Sequence, residues 1–246
     1  MEVVQPKPES QRSSPPTAEC WCGGRGYETK FRDDYSTWER YCVCEKGRMF
    51  RKEEYDRRAA INLEKCGIPS RLWACEFDTY PPANGGRELV QKLKDWFIED
   101  AEGKGFFLYG DYGTGKSALA SAWLRANLAD GEYQGKFITV PDLLSSIRAT
   151  YGPNAERGEW ELMKEVREID MLVLDDIGAE RPTDWVVERL FAIINHRHSE
   201  LLPTFFTSNL ALPELAERLG ERTTWRIAEM SEVIHVTGAN LRDKKR

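Results

Sequence analysis

From Arg87 onward, short apolar runs alternate with longer stretches whose apolar residues recur every three or four positions. The runs Phe106–Tyr109, Lys136–Val140, Met171–Leu174, Thr204–Thr207 and Val233–Thr237 read as strands. The first and third are almost continuously apolar, as strands covered on both faces are. Between and around them the helical period predicts helices over Glu88–Ala101, from Ala118 onward, and over Pro141–Tyr151, Trp160–Glu168, Thr183–Ser199, Pro213–Leu219 and Thr223–Glu229. Gly152–Asn154 breaks the pattern between two of these. Strands alternating with helices predict an α/β fold. It has a parallel sheet with helices on both faces, right-handed crossovers, and a ligand at the carboxyl ends of the strands.

The first quarter of the chain is patterned differently. Residues 1–18, with four prolines and three serines, predict a disordered lead-in. Met49–Glu64 is densely charged with Phe50, Tyr55, Ile61 and Leu63 spaced through it, which predicts an amphipathic helix linking two modules. Its mixed signs suit a solvated face. Gly67-Ile68-Pro69 stops that helix, and residues 70–86 form an irregular wrap placed to meet a nucleotide base. The predicted domains are therefore a lead-in (1–18), a cysteine module (19–48), a linker helix (49–66) and an α/β domain (67–246).

The chemistry concentrates where the first strand meets its helix. Gly110-Asp111-Tyr112-Gly113-Thr114-Gly115-Lys116-Ser117 fits the phosphate-loop pattern GxxxxGK[ST] at every fixed position. The glycines let backbone N–H groups turn inward around a phosphate, and the helix opened by Ala118 adds the partial positive charge of its N-terminus. Lys116 then reaches the β- and γ-phosphates and Ser117 ligates Mg²⁺. A glycine-rich turn alone would say little; the strand before it and the helix after it make it a nucleotide site. Met171–Leu174 ends in Asp175-Asp176. Asp175, at the strand tip, is the expected second Mg²⁺ partner, and Asp176 is suited to orient an attacking water. Asn209, after Thr204–Thr207, fits either a group holding that water or the γ-phosphate, or a turn cap.

Cys20-Trp21-Cys22 and, about twenty residues on, Cys42-Val43-Cys44 suit a tetrahedral Zn²⁺ site. The alternative is four free thiols, and the C-x-C spacing is less usual than C-x₂-C. Cys66 and Cys75 read as small core residues.

Charge and composition narrow the class only a little. The net charge of −6 argues against a protein that coats nucleic acid by basicity. Residues 1–75 carry 14 Lys and Arg against 12 Asp and Glu, and the rest 21 against 29. No apolar run approaches a membrane span and no signal-like segment opens the chain, which predicts a cytoplasmic protein.

Together these motifs resemble the AAA+ ATPases, in particular the DnaC/DnaI-type helicase loaders and the IstB transposition ATPases. The residues that carry the resemblance are Gly110–Ser117, Leu174-Asp175-Asp176-Ile177-Gly178-Ala179-Glu180, Thr207-Ser208-Asn209, the Leu219–Arg226 box, Gly238–Arg242 and Cys66–Arg71. The resemblance implies Mg²⁺-dependent ATP hydrolysis. It implies Asn209 as sensor 1, Arg226 (with Arg222 as competitor) as the arginine finger given to a neighbour, and Arg242 as sensor 2 beside the nucleotide. It also implies self-assembly through the ATPase domain, a DnaB-type hexameric replicative helicase held through the cysteine module, and single-stranded DNA as a partner. The residues themselves place that strand near Ser145, Ser146, Arg148 and the loop 151–160, where small polar groups, a cation and aromatics can hold phosphates and bases. The alternatives are an IstB-type transposition helper and a scaffold that binds ATP without useful turnover.

Overall fold

A computed structural model describes residues 25, 27–31, 37–42, 44–81, 86–96, 98, 101–152 and 158–241. The chain divides into two compact units, before and after the Arg57–Arg58 bond. In the first, strands β1 (Tyr27–Phe31) and β2 (Thr37–Tyr41) pair antiparallel, with Tyr27 opposite Tyr41. The apolar pattern did not announce this hairpin, because six of its ten strand residues are charged or polar. Tyr27 meets Phe50 edge-on at 5.3 Å. Helix α1 (Glu45–Lys65) begins in this unit and ends in the second.

The second unit contains α2 (Gly86–Lys94), β3 (Gly105–Tyr109), α3 (Lys116–Leu128), β4 (Gly135–Thr139), α4 (Val140–Ala149), α5 (Glu159–Glu168) and β5 (Met171–Asp175). After these come α6 (Asp184–Ser199), β6 (Thr204–Ser208), α7 (Leu212–Leu219), α8 (Glu221–Glu229) and β7 (Ser231–His235). The five strands form one parallel sheet in the order β4-β5-β6-β3-β7. Period-two alternation sends Phe106, Leu108, Met171, Val173 and Phe205 to one face, where they pack with Leu119, Trp123 and Leu124 of α3. Phe107, Leu172, Leu174 and Phe206 face the other side with α4 to α8. Both faces are buried, which is why these strands read as unbroken apolar runs.

All five predicted strands are present, with small shifts. β7 lies two residues before the predicted Val233–Thr237, because it pairs residue for residue with β3 from Gly105↔Ser231 to Tyr109↔His235. The predicted helix over Glu88–Ala101 ends at Lys94. Trp96 leaves the helical path to set its ring 4.8 Å from that of Trp123 and to donate from its indole N–H to the carbonyl of Lys104 (2.9 Å). Residues 70–81 are less irregular than expected of the wrap, with 3-10 turns at Ser70–Leu72 and Phe77–Thr79. Cys66 is fully buried, as expected of a core residue.

One buried cation ties the base of the sheet together. Arg197, fully buried at the end of α6, donates to the carbonyls of Val166, Arg167, Ile169, Asp170 and Pro203 and to Thr204 Oγ1, at 2.7–3.3 Å. Burial pulls the guanidinium down to about 9, still well above neutral, so it remains charged at pH 7 and the carbonyls satisfy it. Replacing it with leucine strands five carbonyls around an apolar side chain. Urea unfolding of Arg197→Leu is expected to show a loss of about 3 kcal/mol or more, and a loss below about 1 kcal/mol would refute the clamp.

Candidate functional site

The order of the sheet decides what meets at the site. β3 lies between β7 and β6, so the loop leaving β3 at Gly110 sits beside the end of β6, and one strand further on beside the end of β5. Gly110, Gly113 and Gly115 all take positive φ (142°, 81° and 94°). At Gly110 a Cβ would fall 2.3 Å from the carbonyl oxygen of Val236, and at Gly113 2.0 Å from Asn240 Oδ1. The loop is thus folded tightly enough that only glycine fits these positions. Gly115 stands at the N-cap of α3, where it brings no side chain to occupy the first-turn N–H groups. Thr114 is buried and donates to the carbonyl of Asp111 (3.0 Å), while Asp111 and Tyr112 are exposed. Ala118, half-buried, lies in the first turn of α3.

Lys116 is buried and its ammonium donates to the carbonyls of Gly110 and Asp111 (both 2.8 Å) and to Asn209 Oδ1 (2.9 Å). Asn209 Nδ2 donates in turn to Asp176 Oδ1 (2.9 Å). The amide therefore joins the lysine of the phosphate loop to the second acid, instead of capping a turn.

Asp175 is buried, and Thr207 Oγ1 donates to its Oδ1 at 2.6 Å. Burial pushes this carboxyl above the usual carboxylate range; hydrogen bonds from Thr207 and Ser117 work against that, and the charge of Asp176 adds to it. A hydroxyl and a carboxylate are hard oxygen donors of the kind Mg²⁺ takes, so Ser117 and Asp175 fit that ion by their chemistry. Asp176 follows with φ +62°, a left-handed conformation costing on the order of 1 kcal/mol. Its N–H donates to Thr207 Oγ1 (2.9 Å).

The Asp-Asp-Ile-Gly-Ala-Glu run owes its last residues to a turn. Gly178 has φ +89°, its N–H donates to the buried Glu180 carboxylate (3.0 and 3.2 Å), and Arg218 donates to its carbonyl (2.7 Å). Burial raises the Glu180 pKa.

Three contributors were not singled out in the sequence. Thr207 appeared only as a member of a motif. Tyr80 donates from its hydroxyl to the carbonyl of Thr114 (2.9 Å), and its ring stands 2.7 Å from where a Gly115 Cβ would be. A cavity of about 220 Å³, bounded by Tyr80, Leu89, His235, Val236 and Thr237, opens beside that ring. Asn240 lies against Gly113, and the N–H of Leu241 donates to the Gly113 carbonyl (2.9 Å). The signal for Tyr80 was an aromatic ahead of Pro81-Pro82 at the end of the wrap.

Other predicted site residues lie elsewhere. Arg226 on α8 donates to Asn195 Oδ1 of α6 (2.6 Å) and lies 3.9 Å from Glu229; Arg222 stands over the Phe191 ring at 4.6 Å. Cys42 is buried, and the half-buried Cys44 accepts the Gly47 N–H (3.4 Å). Cys20, Cys22 and Arg242 lie outside the described residues, and among the described residues no group of three or more metal-ligating side chains occurs.

A family model described as IstB-like ATP binding protein matches residues 46–246. The chain belongs to this family. It is 33% identical over 202 residues to the replicative helicase loader DnaI of Bacillus subtilis, covering 78% of this chain and 64% of that protein, just under two thirds of its length. To the replicative helicase loader DnaC of Escherichia coli it is 24% identical over 200 residues, 80% of this chain and 81% of that one. A crystal structure of the DnaC helicase loader superposes with a TM-score of 0.61 at 30% identity, covering 69% of this chain and all of the other. The fold is the AAA+ phosphate-loop α/β fold, and membership of an ATP-binding family is consistent with ATPase activity. No helix among the described residues is long and apolar enough to cross a membrane.

Gly113→Ala tests the loop. A methyl 2.0 Å from Asn240 at a positive φ must displace the 238–241 segment or unfold the turn. Affinity for a fluorescent ATP analogue is expected to fall roughly tenfold or more, with a melting point lowered by several degrees; unchanged binding would refute the geometry.

Proposed function

We propose that this chain is an ATP-hydrolysing loader that holds a DnaB-type hexameric replicative helicase and helps place it on single-stranded DNA during replication. The observation that carries the reading is its likeness to replicative helicase loaders, 33% identity to DnaI and a 30% identical DnaC structure. The arrangement of Lys116, Ser117, Asp175, Asp176 and Asn209 supports it.

The residues divide the work. The N–H groups of Gly110–Ser117 and the start of α3, including Ala118, cradle the triphosphate, with Tyr80 and the adjoining cavity on the base side. Lys116 exchanges the carbonyls of Gly110 and Asp111 for the β- and γ-phosphates. Ser117 and Asp175 would hold Mg²⁺, which neutralises charge on the phosphates when bound. Asp176 accepts a hydrogen bond from the attacking water and draws off its proton. Asn209, already hydrogen-bonded to Asp176, holds that water against the γ-phosphate. Arg242 contacts the nucleotide of its own chain, and Arg226 stabilises the charge at a neighbour's site in an assembly of several copies. To do so Arg226 must release Asn195 and Glu229, which ties turnover to assembly.

Residues 19–48 form the module that docks the helicase, with Cys20, Cys22, Cys42 and Cys44 binding Zn²⁺. In support, Cys42 and Cys44 follow directly on β2, and the Gly47 N–H aimed at Cys44 Sγ is the kind of contact that orients a thiolate ligand. Residues 67–246 form the ATPase domain, and the protein works in the cytoplasm. Single-stranded DNA runs past Arg148, whose guanidinium stacks at 4.7 Å on Trp185, and past Tyr151, 55% exposed and hydrogen-bonded to that indole (3.2 Å). A cation on aromatic rings at an exposed helix end suits stacked bases. The family model's name favours a second reading, an IstB-type helper that binds DNA and a transposase; the loader names of the relatives weigh against it.

Two experiments test the reading. The purified protein is expected to co-elute with its replicative helicase and promote loading on single-stranded DNA, and Cys42→Ser/Cys44→Ser to lose both zinc and co-elution. Failure of the unaltered protein to do either would end the loader reading. Lys116→Ala is expected to reduce ATP turnover roughly 100-fold or more and abolish release of the loaded helicase; full activity would remove hydrolysis from the mechanism.

A further inference from the structure

Thr207 sits on β6 between two phenylalanines and a serine, paired with Leu108 of β3, and is 1% exposed. In a strand buried on both faces, a β-branched apolar residue of the same shape would suit that position better than a hydroxyl. The hydroxyl is nonetheless fully used. It accepts the N–H of Asp176 (2.9 Å) and donates to Asp175 Oδ1 (2.6 Å). A threonine hydroxyl has one hydrogen to give, so its acceptance from Asp176 and its donation to Asp175 are both directed.

We propose that Thr207 is a positioning residue for the phosphoryl-transfer site, a single hydroxyl that sets the metal-binding carboxylate and the water-orienting carboxylate against each other. With Oδ1 committed to Thr207, the Asp175 carboxylate holds one rotamer as Ser117 approaches it. With its N–H anchored, Asp176 keeps the left-handed backbone (φ +62°) that lets its own carboxylate meet Asn209 Nδ2. The neighbours extend the join: the Ile177 N–H donates to the Thr207 carbonyl (2.9 Å), and Ser208 Oγ donates to the Ile177 carbonyl (2.7 Å). Thr207 touches neither nucleotide nor metal; it acts through Asp175 and Asp176. The inference rests on the ATPase reading above.

The test uses the full chain carrying Thr207→Val or Thr207→Ser, with a fluorescent ATP analogue bound in EDTA and across a Mg²⁺ titration, and with steady-state ATP hydrolysis. Thr207→Val is expected to bind the analogue in EDTA within about twofold of the unaltered protein, because the phosphate loop is untouched. Its Mg²⁺ requirement for half-maximal tight binding should rise roughly tenfold, and kcat should fall roughly tenfold or more with KM within about threefold, the scale of one lost hydrogen bond to a charged group. Thr207→Ser should restore both to within about threefold. Where thermal melting shows that Val does not fold, Thr207→Ala against Thr207→Ser makes the same comparison, since the two differ by one oxygen. A Val variant with the normal Mg²⁺ midpoint and kcat overturns the proposal, as do Ser and Val (or Ala) impaired alike, which would make Thr207 a packing residue. Both results leave the ATPase reading standing. An unaltered protein that binds no Mg²⁺-ATP would defeat that reading, and the role of Thr207 with it.

Discussion

The parallel pairing of β3 with β6 is the contact on which the site depends. It sets Tyr109 beside Ser208, so that the chain leaving β3 and the chain leaving β6 start from the same edge of the sheet. Lys116 and Asn209 are 93 positions apart in sequence and 2.9 Å apart in space for this reason alone. β5, next to β6, brings Asp175 and Asp176 to the same edge. The sheet holds this arrangement because both faces are buried, by α3 on one side and by α4 to α8 on the other. Sliding any strand by one residue would turn its phenylalanines and leucines onto the wrong layer.

Within that frame, the polar groups at the strand ends satisfy one another. Lys116 meets loop carbonyls and an amide, the amide meets Asp176, and Asp176 and Asp175 meet one threonine hydroxyl. A buried ammonium and a buried carboxylate are tolerable only with such partners. In the proposed function, the same network defines the exchange that a triphosphate would require, its oxygens taking the place of the carbonyls around Lys116. The opposite end of the sheet uses a comparable solution, with Arg197 surrounded by carbonyls, and there it serves stability.

In the proposed function, the arginine of α8 is the group that would link the single chain to an assembly. Held by Asn195 and Glu229, Arg226 is supported within its own subunit, and a neighbour's phosphates would compete with those partners for it. Under that proposal, a cation with modest partners in the isolated chain and strong ones across an interface would make assembly and turnover interdependent.

The strands, the phosphate loop and the acidic strand tip were legible in the sequence because each rests on local rules. An apolar run bounded by turns, glycines at fixed offsets and acids closing a buried strand are visible without knowing what lies beside them. The β1–β2 hairpin was not legible, since with six of ten strand residues polar or charged its apolar alternation is too short to stand out. The surroundings of Asn209 were not legible until the sheet order put Lys116 on one side of its amide and Asp176 on the other. Tyr80, Thr207 and Asn240 depended on the fold still more, because a tyrosine before prolines or a threonine in a strand looks the same in sequence whether it faces solvent, core or a phosphate loop. The sequence by itself determined which groups were available and on which elements. Only the tertiary structure decided which of them share hydrogen bonds, because strand order and register, not distance along the chain, set their separation.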